Sequence, residues 1–159
     1  MRIIFILVAL CLLVIVGSVS HVEAFNCDVT ATGVNFGSYD VFSNIPLDST
    51  GMINVSCNIP SQNPHAPLAV TISLSPGNSG TFSPRAMQQT AGPDTIHYNL
   101  YANASMSTPW GDGGGSSSVQ TAFVTKDMPY RATIYGRIPA RQNARAGSYS
   151  DVITVTIEY

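Results

Sequence analysis

Apolar and polar residues alternate with a period of two through most of the chain after its first two dozen residues. No other feature constrains the fold as tightly, because this is the signature of half-buried strands. Cys27, Val29 and Ala31 alternate with Asp28, Thr30 and Thr32. Gly33 is expected to interrupt the pattern with a bulge or bend, and Val34 and Phe36 resume it. Asp48-Ser49-Thr50-Gly51 reads as a turn, after which Ile53, Val55 and Cys57 share one face. Beyond a proline-rich loop at 60–67, Leu68, Val70, Ile72 and Leu74 alternate with Ala69, Thr71 and Ser73. Ser75-Pro76-Gly77-Asn78 is a strong turn, and Thr81 to Met87 is a weaker strand candidate. Ile96, Tyr98 and Leu100 alternate with His97, Asn99 and Tyr101, and further strands are predicted at Thr121 to Thr125 and Tyr130 to Ile138. Gly147 opens a last segment in which Ile153, Val155, Ile157 and Tyr159 oppose Val152, Thr154, Thr156 and Glu158. No window shows a sustained apolar repeat at helical spacing with capping residues. Seven or eight short strands separated by turns predict an all-β fold, a β-sandwich.

The first 24 residues are of a different kind. Arg2 precedes an unbroken apolar run from Ile3 to Val16, and a more polar stretch ends at Ala24. This is the layout of a secretory signal peptide, with Val22 and Ala24 at the −3 and −1 positions of a small-residue cleavage site. The run is shorter than the roughly 20 apolar residues that a spanning helix needs. Cleavage after Ala24 is therefore expected, with Cys11 leaving in the peptide and no membrane span in the mature chain, which is read as one domain from Phe25 to Tyr159. Cys27 and Cys57 remain. An even count in an exported chain predicts a disulfide between them, and two thiols with no nearby histidine are too few for structural zinc.

The net charge is −2 and only 10% of residues are charged. Without a basic stripe to neutralise phosphates, nucleic acid is not an expected partner. A catalytic histidine needs an orienting partner and a reacting group. Neither His65, between prolines, nor His97, on an alternating strand, has one in sequence, and no enzymatic activity or cofactor is expected. Asp112 in its glycine run and Asp94 elsewhere do not supply the carboxylate spacing of a calcium site, and the run lacks the lysine of a phosphate loop. Pro109, Trp110 and Asp112 mark a candidate contact loop. For Trp110 the rival reading, a packing residue that pins this loop, is preferred. Asn54-Val55-Ser56 and Asn103-Ala104-Ser105 match the glycosylation sequon, a triplet common by chance.

Taken in order, these residues resemble the spore coat protein U domain of secreted bacterial proteins. The matching pieces are Cys27 with Val34-Asn35-Phe36-Gly37-Ser38-Tyr39, Pro46-Leu47-Asp48-Ser49-Thr50-Gly51 leading to Val55-Ser56-Cys57, and Ile72-Ser73-Leu74-Ser75-Pro76-Gly77. Pro84-Arg85-Ala86-Met87, Tyr98-Asn99-Leu100-Tyr101, Trp110-Gly111-Asp112-Gly113 and Tyr135-Gly136-Arg137-Ile138-Pro139-Ala140-Arg141-Gln142 follow. The last is Gly147-Ser148-Tyr149-Ser150-Asp151-Val152-Ile153-Thr154-Val155. The family is similar to subunits of archaic chaperone–usher pili. The resemblance implies an immunoglobulin-like sandwich that lacks its final strand. The open groove is filled first by a periplasmic chaperone and then, at an outer-membrane usher, by the N-terminal extension of a neighbouring subunit. It implies a secreted structural or adhesive subunit of a cell-surface fibre or coat, with Ile153, Val155 and Ile157 on the groove edge.

The chain's stop at Tyr159 fits a fold that ends one strand early. Only two residues lie between the expected cleavage and Cys27, too few for a donor segment, so a tip or terminal position is expected. The alternative is a free-standing adhesin or lectin-like module with a complete sandwich, making contacts through loops at Phe42 to Pro46, Pro60 to Pro67 and Trp110 to Gly115.

Overall fold

The computed structural model describes residues 26–59 and 65–159. The expected signal peptide, its cleavage site and most of the proline-rich loop lie outside the described residues. Among the described residues nine strands form two antiparallel sheets: β1 (Asn26–Thr32), β2 (Leu47–Asn58), β3 (Leu68–Leu74), β4 (Arg85–Gln89), β5 (Thr95–Tyr101), β6 (Gln120–Val124), β7 (Tyr130–Ile138), β8 (Tyr149–Ser150) and β9 (Val155–Glu158). A six-stranded sheet has the order β1-β2-β7-β5-β4-β8 and a three-stranded sheet the order β6-β3-β9. The only helical element among the described residues is a 3-10 turn at Gly77–Ser79. This is the all-β sandwich that the alternation predicts.

The period of two decides which side chains meet. Ile53 and Val55 of β2, Val70, Ile72 and Leu74 of β3, and Ile96, Tyr98 and Leu100 of β5 turn inward. So do Ala122 and Val124 of β6 and Ala132, Ile134 and Ile138 of β7, and all of these form one buried cluster between the sheets. Removing that apolar surface from water is the main force holding the two sheets face to face. Trp110, with 0% exposure, joins the cluster from the long β5–β6 connection. Its indole N–H donates to Ile72 O at 2.9 Å and its backbone N–H to Leu100 O at 2.8 Å, which ties that connection to both sheets. Cys27 and Cys57 face each other directly in the β1–β2 register and form the predicted disulfide, with Cα atoms 4.0 Å apart.

The boundaries differ from expectation in three places. Asp48-Ser49-Thr50-Gly51 is no turn but the first third of β2, paired with β7 from Leu47↔Ile138 to Gly51↔Ile134. Small residues stand here because the chain after β1 crosses over this point: a Cβ on Gly51 would lie 2.6 Å from Thr32 O and 3.1 Å from a Val34 methyl. Gly33 marks that crossing, where the chain leaves the β1–β2 ladder. The segment from Gly147 is two strands rather than one, since β8 pairs with β4 in the large sheet and β9 with β3 in the small one. The weaker candidate at Thr81 to Met87 is displaced to β4, Arg85–Gln89.

Candidate functional site: an open strand edge and a cleft on the large sheet

β9 is an edge strand. It pairs with β3 from Leu74↔Val155 to Thr71↔Glu158, and among the described residues no strand pairs with its other side. Ile153, Val155 and Ile157 are half-buried and pack on the core, while Val152, Thr154, Thr156 and Glu158 face solvent. The three residues expected on a groove edge thus share the inward face of this edge.

A second segment carries the same features without being a strand. After Gly33 the chain runs across the inner face of the large sheet, and Val34, Phe36 and Tyr39 pack against the core. The space they occupy exists because β7 carries Gly136, where a Cβ would stand 2.8 Å from both the Phe36 ring and a Val34 methyl. Ser49 Oγ donates to Asn35 O at 2.6 Å, and the Tyr39 hydroxyl donates to Pro139 O at 2.8 Å and accepts from Gln142 N at 2.8 Å. These side-chain bonds hold the segment in place, but among the described residues it pairs with no strand.

Between this segment and the chain leading into β8 lies a cleft of about 700 Å³. One rim is Val34 to Phe42 and the other Ala144 to Tyr149, and Met87, Ile96 and Ile138 of the large sheet lie at its base. Tyr98 reaches towards both sides of this region. Its ring meets Phe36 edge-on with centroids 6.0 Å apart, and its hydroxyl donates to Asp151 Oδ2 at 2.7 Å. Burial, and then the bond to Asp151, hold the Tyr98 phenol protonated far above the usual tyrosine range. Asp151 Oδ1 accepts from the N–H of Asn78 at 2.9 Å and of Val152 at 2.8 Å, so this one carboxylate fixes the crossover between β8 and β9.

The candidate contact loop is taken apart by the structure. Pro109 and Trp110 are buried and offer no contact surface; only Asp112 is exposed. Trp110 is the packing residue of the preferred reading. Asp112 accepts from the N–H of Gly114 at 2.7 Å, a local turn bond. Among the other expected contact loops, Phe42 is 86% and Ile45 75% exposed. His97 is an exposed strand residue whose main chain, not its ring, bonds Gln142. His65 lies 3.6 Å from Asp127, both exposed.

The residue that sequence reasoning misses is Arg85. It is fully buried, and burial pulls its pKa down from the ordinary arginine value. Its guanidinium donates to Ser75 O and Trp110 O. A carboxylate pattern nearby in sequence would have signalled it, and there is none. Asp48 and Arg137, directly opposed on β2 and β7, form a bidentate pair with both bonds at 2.7 Å. The guanidinium beside Asp48 holds its carboxyl below the usual range.

The fold and the family are both matched among known proteins. Protein U of Myxococcus xanthus is 29% identical over 133 residues, which cover 79% of this chain and 71% of that protein. A solved structure with TM-score 0.59 and 21% identity is the CsuC-CsuE chaperone-tip adhesion subunit pre-assembly complex from archaic chaperone-usher Csu pili of Acinetobacter baumannii. The match covers 86% of this chain and 40% of that one, and at this identity it shows the fold alone. The E. coli Hda pilus minor tip subunit, HdaB, aligns at 17% identity over 82% of this chain and 79% of that one, with a TM-score of 0.39. The family model for the Spore Coat Protein U domain matches residues 16–156. The chain belongs to the spore coat protein U domain family.

Proposed function

We propose that this protein is a secreted subunit of a bacterial surface fibre or coat, and that it accepts a donor strand from a partner at the free edge of β9. The observation that carries this reading is a pair of chain segments that turn apolar residues inward and, among the described residues, leave main chain unpaired. One is the free side of β9, with Val155 and Ile157 and, just before it, Ile153. The other runs from Val34 to Phe42, with the cleft of about 700 Å³ on its flank. An unpaired strand edge beside uncovered apolar surface invites pairing with another chain. An added strand gains main-chain hydrogen bonds along β9, while its alternate side chains enter the space between the sheets. The sandwich is incomplete in this reading, and the missing strand is supplied in trans.

The partners are those that the resemblance to chaperone–usher pilus subunits implies. A periplasmic chaperone covers the edge before assembly, an outer-membrane usher exports the subunit, and a neighbouring subunit supplies the permanent strand. The crystal structure matched at TM-score 0.59 is a chaperone–subunit complex, which supports a chaperone as the first partner. A tip or terminal position rests on the expected cleavage after Ala24, which leaves Phe25 and Asn26 ahead of Cys27. N-terminal sequencing of the exported chain tests that position directly, and a donor-length segment retained before Cys27 would sink it.

The donor-strand reading is tested by trapping. A cysteine placed at Thr156 and another at the matching position of a synthetic alternating apolar peptide are expected to crosslink in one register. Crosslinking that is equal at every peptide position, or absent, would count against an ordered strand at this edge.

A further inference from the structure

A cation fully removed from water is costly unless its surroundings hold it well, so a buried arginine that makes no salt bridge among the described residues calls for a structural reason. Arg85 is 0% exposed and opens β4. Its Nε and Nη2 both donate to Ser75 O, at 3.1 and 2.9 Å, and Nη2 also donates to Trp110 O at 2.7 Å. Its Cζ lies 5.3 Å from the centre of the Phe82 ring. Only the rigid, planar fork of a guanidinium reaches two carbonyls in this way, and a lysine ammonium does not reproduce it.

Both carbonyls belong to segments that set the small sheet. Ser75 follows the last residue of β3, and its remaining groups both go to Thr154, the residue before β9. Ser75 N donates to Thr154 O at 2.9 Å, and Ser75 Oγ accepts from Thr154 N at 2.9 Å. Trp110 bonds β3 at Ile72 O and β5 at Leu100 O. One side chain of the large sheet therefore fixes, through Ser75, the point at which the free edge of β9 begins.

We propose that Arg85 is the positioning residue of the acceptor edge: acting through Ser75, it holds β9 where an added strand can pair with it. This rests on the donor-strand reading and adds a named determinant to it. Arg85 touches no donor residue in this account, and its effect is carried by the two bonds between Ser75 and Thr154.

The test is amide hydrogen exchange on the chain with an alternating apolar strand fused by a flexible linker after Tyr159. Arg85→Met and Ser75→Ala are compared with the parent, the second because it keeps the buried cation and removes only the acceptor for Thr154 N. Both are expected to raise exchange roughly tenfold or more across β9 and the fused strand, while Ile53 and Ile134 of β2 and β7 stay within about twofold of the parent. Exchange that rises equally in both sheets would reduce Arg85 to a general stabilising residue and overturn the proposal. So would unchanged protection of β9 in both variants. If the fused strand is unprotected even in the parent, the donor-strand reading itself fails and this inference falls with it. A protected strand in the parent and in both variants sinks this inference alone.

Discussion

The Tyr98 hydroxyl donates to Asp151 Oδ2 at 2.7 Å, joining the middle of β5 to the crossover that carries the chain from one sheet to the other. The bond sits where the two layers of the sandwich are tied beside the cleft. Asp151 keeps two backbone donors without it, so Tyr98→Phe is expected to leave the fold intact. The loss is roughly 1.5–3 kcal/mol, the usual worth of a hydrogen bond to a charged group, read from chemical denaturation.

The same phenol sets an alkaline limit. Tyr98 is held neutral in the folded chain, whereas in the unfolded chain it ionises near 10.0. Above that pH the unfolded state binds fewer protons than the folded state, so stability is full below pH 10 and falls as pH rises, by about 1.4 kcal/mol per unit. Tyr98→Phe removes this part of the slope. Equal slopes in parent and variant above pH 10 would contradict the protected phenol.

At the acid end the Asp48–Arg137 pair contributes in the opposite sense. Its stability is present above the unfolded carboxyl value of 3.8 and is lost as pH falls through the lower folded value. Both side chains are about two-fifths exposed, 41% and 43%, so solvent screening limits the pair to roughly 0.5 kcal/mol. Asp48→Ala is expected to shift the denaturation midpoint only slightly at neutral pH, by a difference that shrinks as pH falls below 3.8.

Replacing Cys27 and Cys57 by serine opens the covalent link between directly facing residues 30 positions apart. The chain-entropy model gives a loss of roughly 3–4 kcal/mol. β1 is an edge strand whose residues are largely exposed, so its amides are expected to lose exchange protection before those of β7.

Gly136→Ala places a methyl group against Phe36 and Val34, which stand 2.8 Å from the new Cβ. Overpacking of this kind costs roughly 1–3 kcal/mol, and the segment that has to give is the one on the rim of the cleft. A lower melting temperature together with weaker retention of a donor peptide is expected. An unchanged melting temperature would mean that the segment does not pack on β7 as described.

Most strands were legible because their inner and outer faces differ: β3 and β7 run between the very residues at which the alternation starts and stops. Legibility fails where a local pattern answers to a distant partner. Asp48 to Gly51 has turn-like composition because Thr32 and Val34 pass over Gly51, not because the chain turns. The alternation continues in phase through Asp151, which conceals a change of sheet made by the hydrogen bonds of that carboxylate. Trp110 stands next to a glycine run that reads as surface, yet the indole and Gly111 are buried and exposure begins only at Asp112. Nothing around Arg85 marks it as buried, since its acceptors are main-chain carbonyls, which every sequence has. At the candidate site, the inward set Ile153, Val155 and Ile157 was readable from period two. The segment from Val34 to Phe42 was not, because it alternates like a strand only as far as Phe36 and among the described residues pairs with none.

The central claim is that the sandwich lacks a strand, and the most direct test compares the chain from Phe25 to Tyr159, exported alone to an oxidising periplasm, with the same chain carrying a linked alternating apolar strand after Tyr159. The account predicts that the bare chain aggregates or is degraded, while the fused chain is a soluble monomer that melts cooperatively. A bare chain that is itself a stable, disulfide-bonded monomer with the same melting temperature would show a complete sandwich and contradict the account.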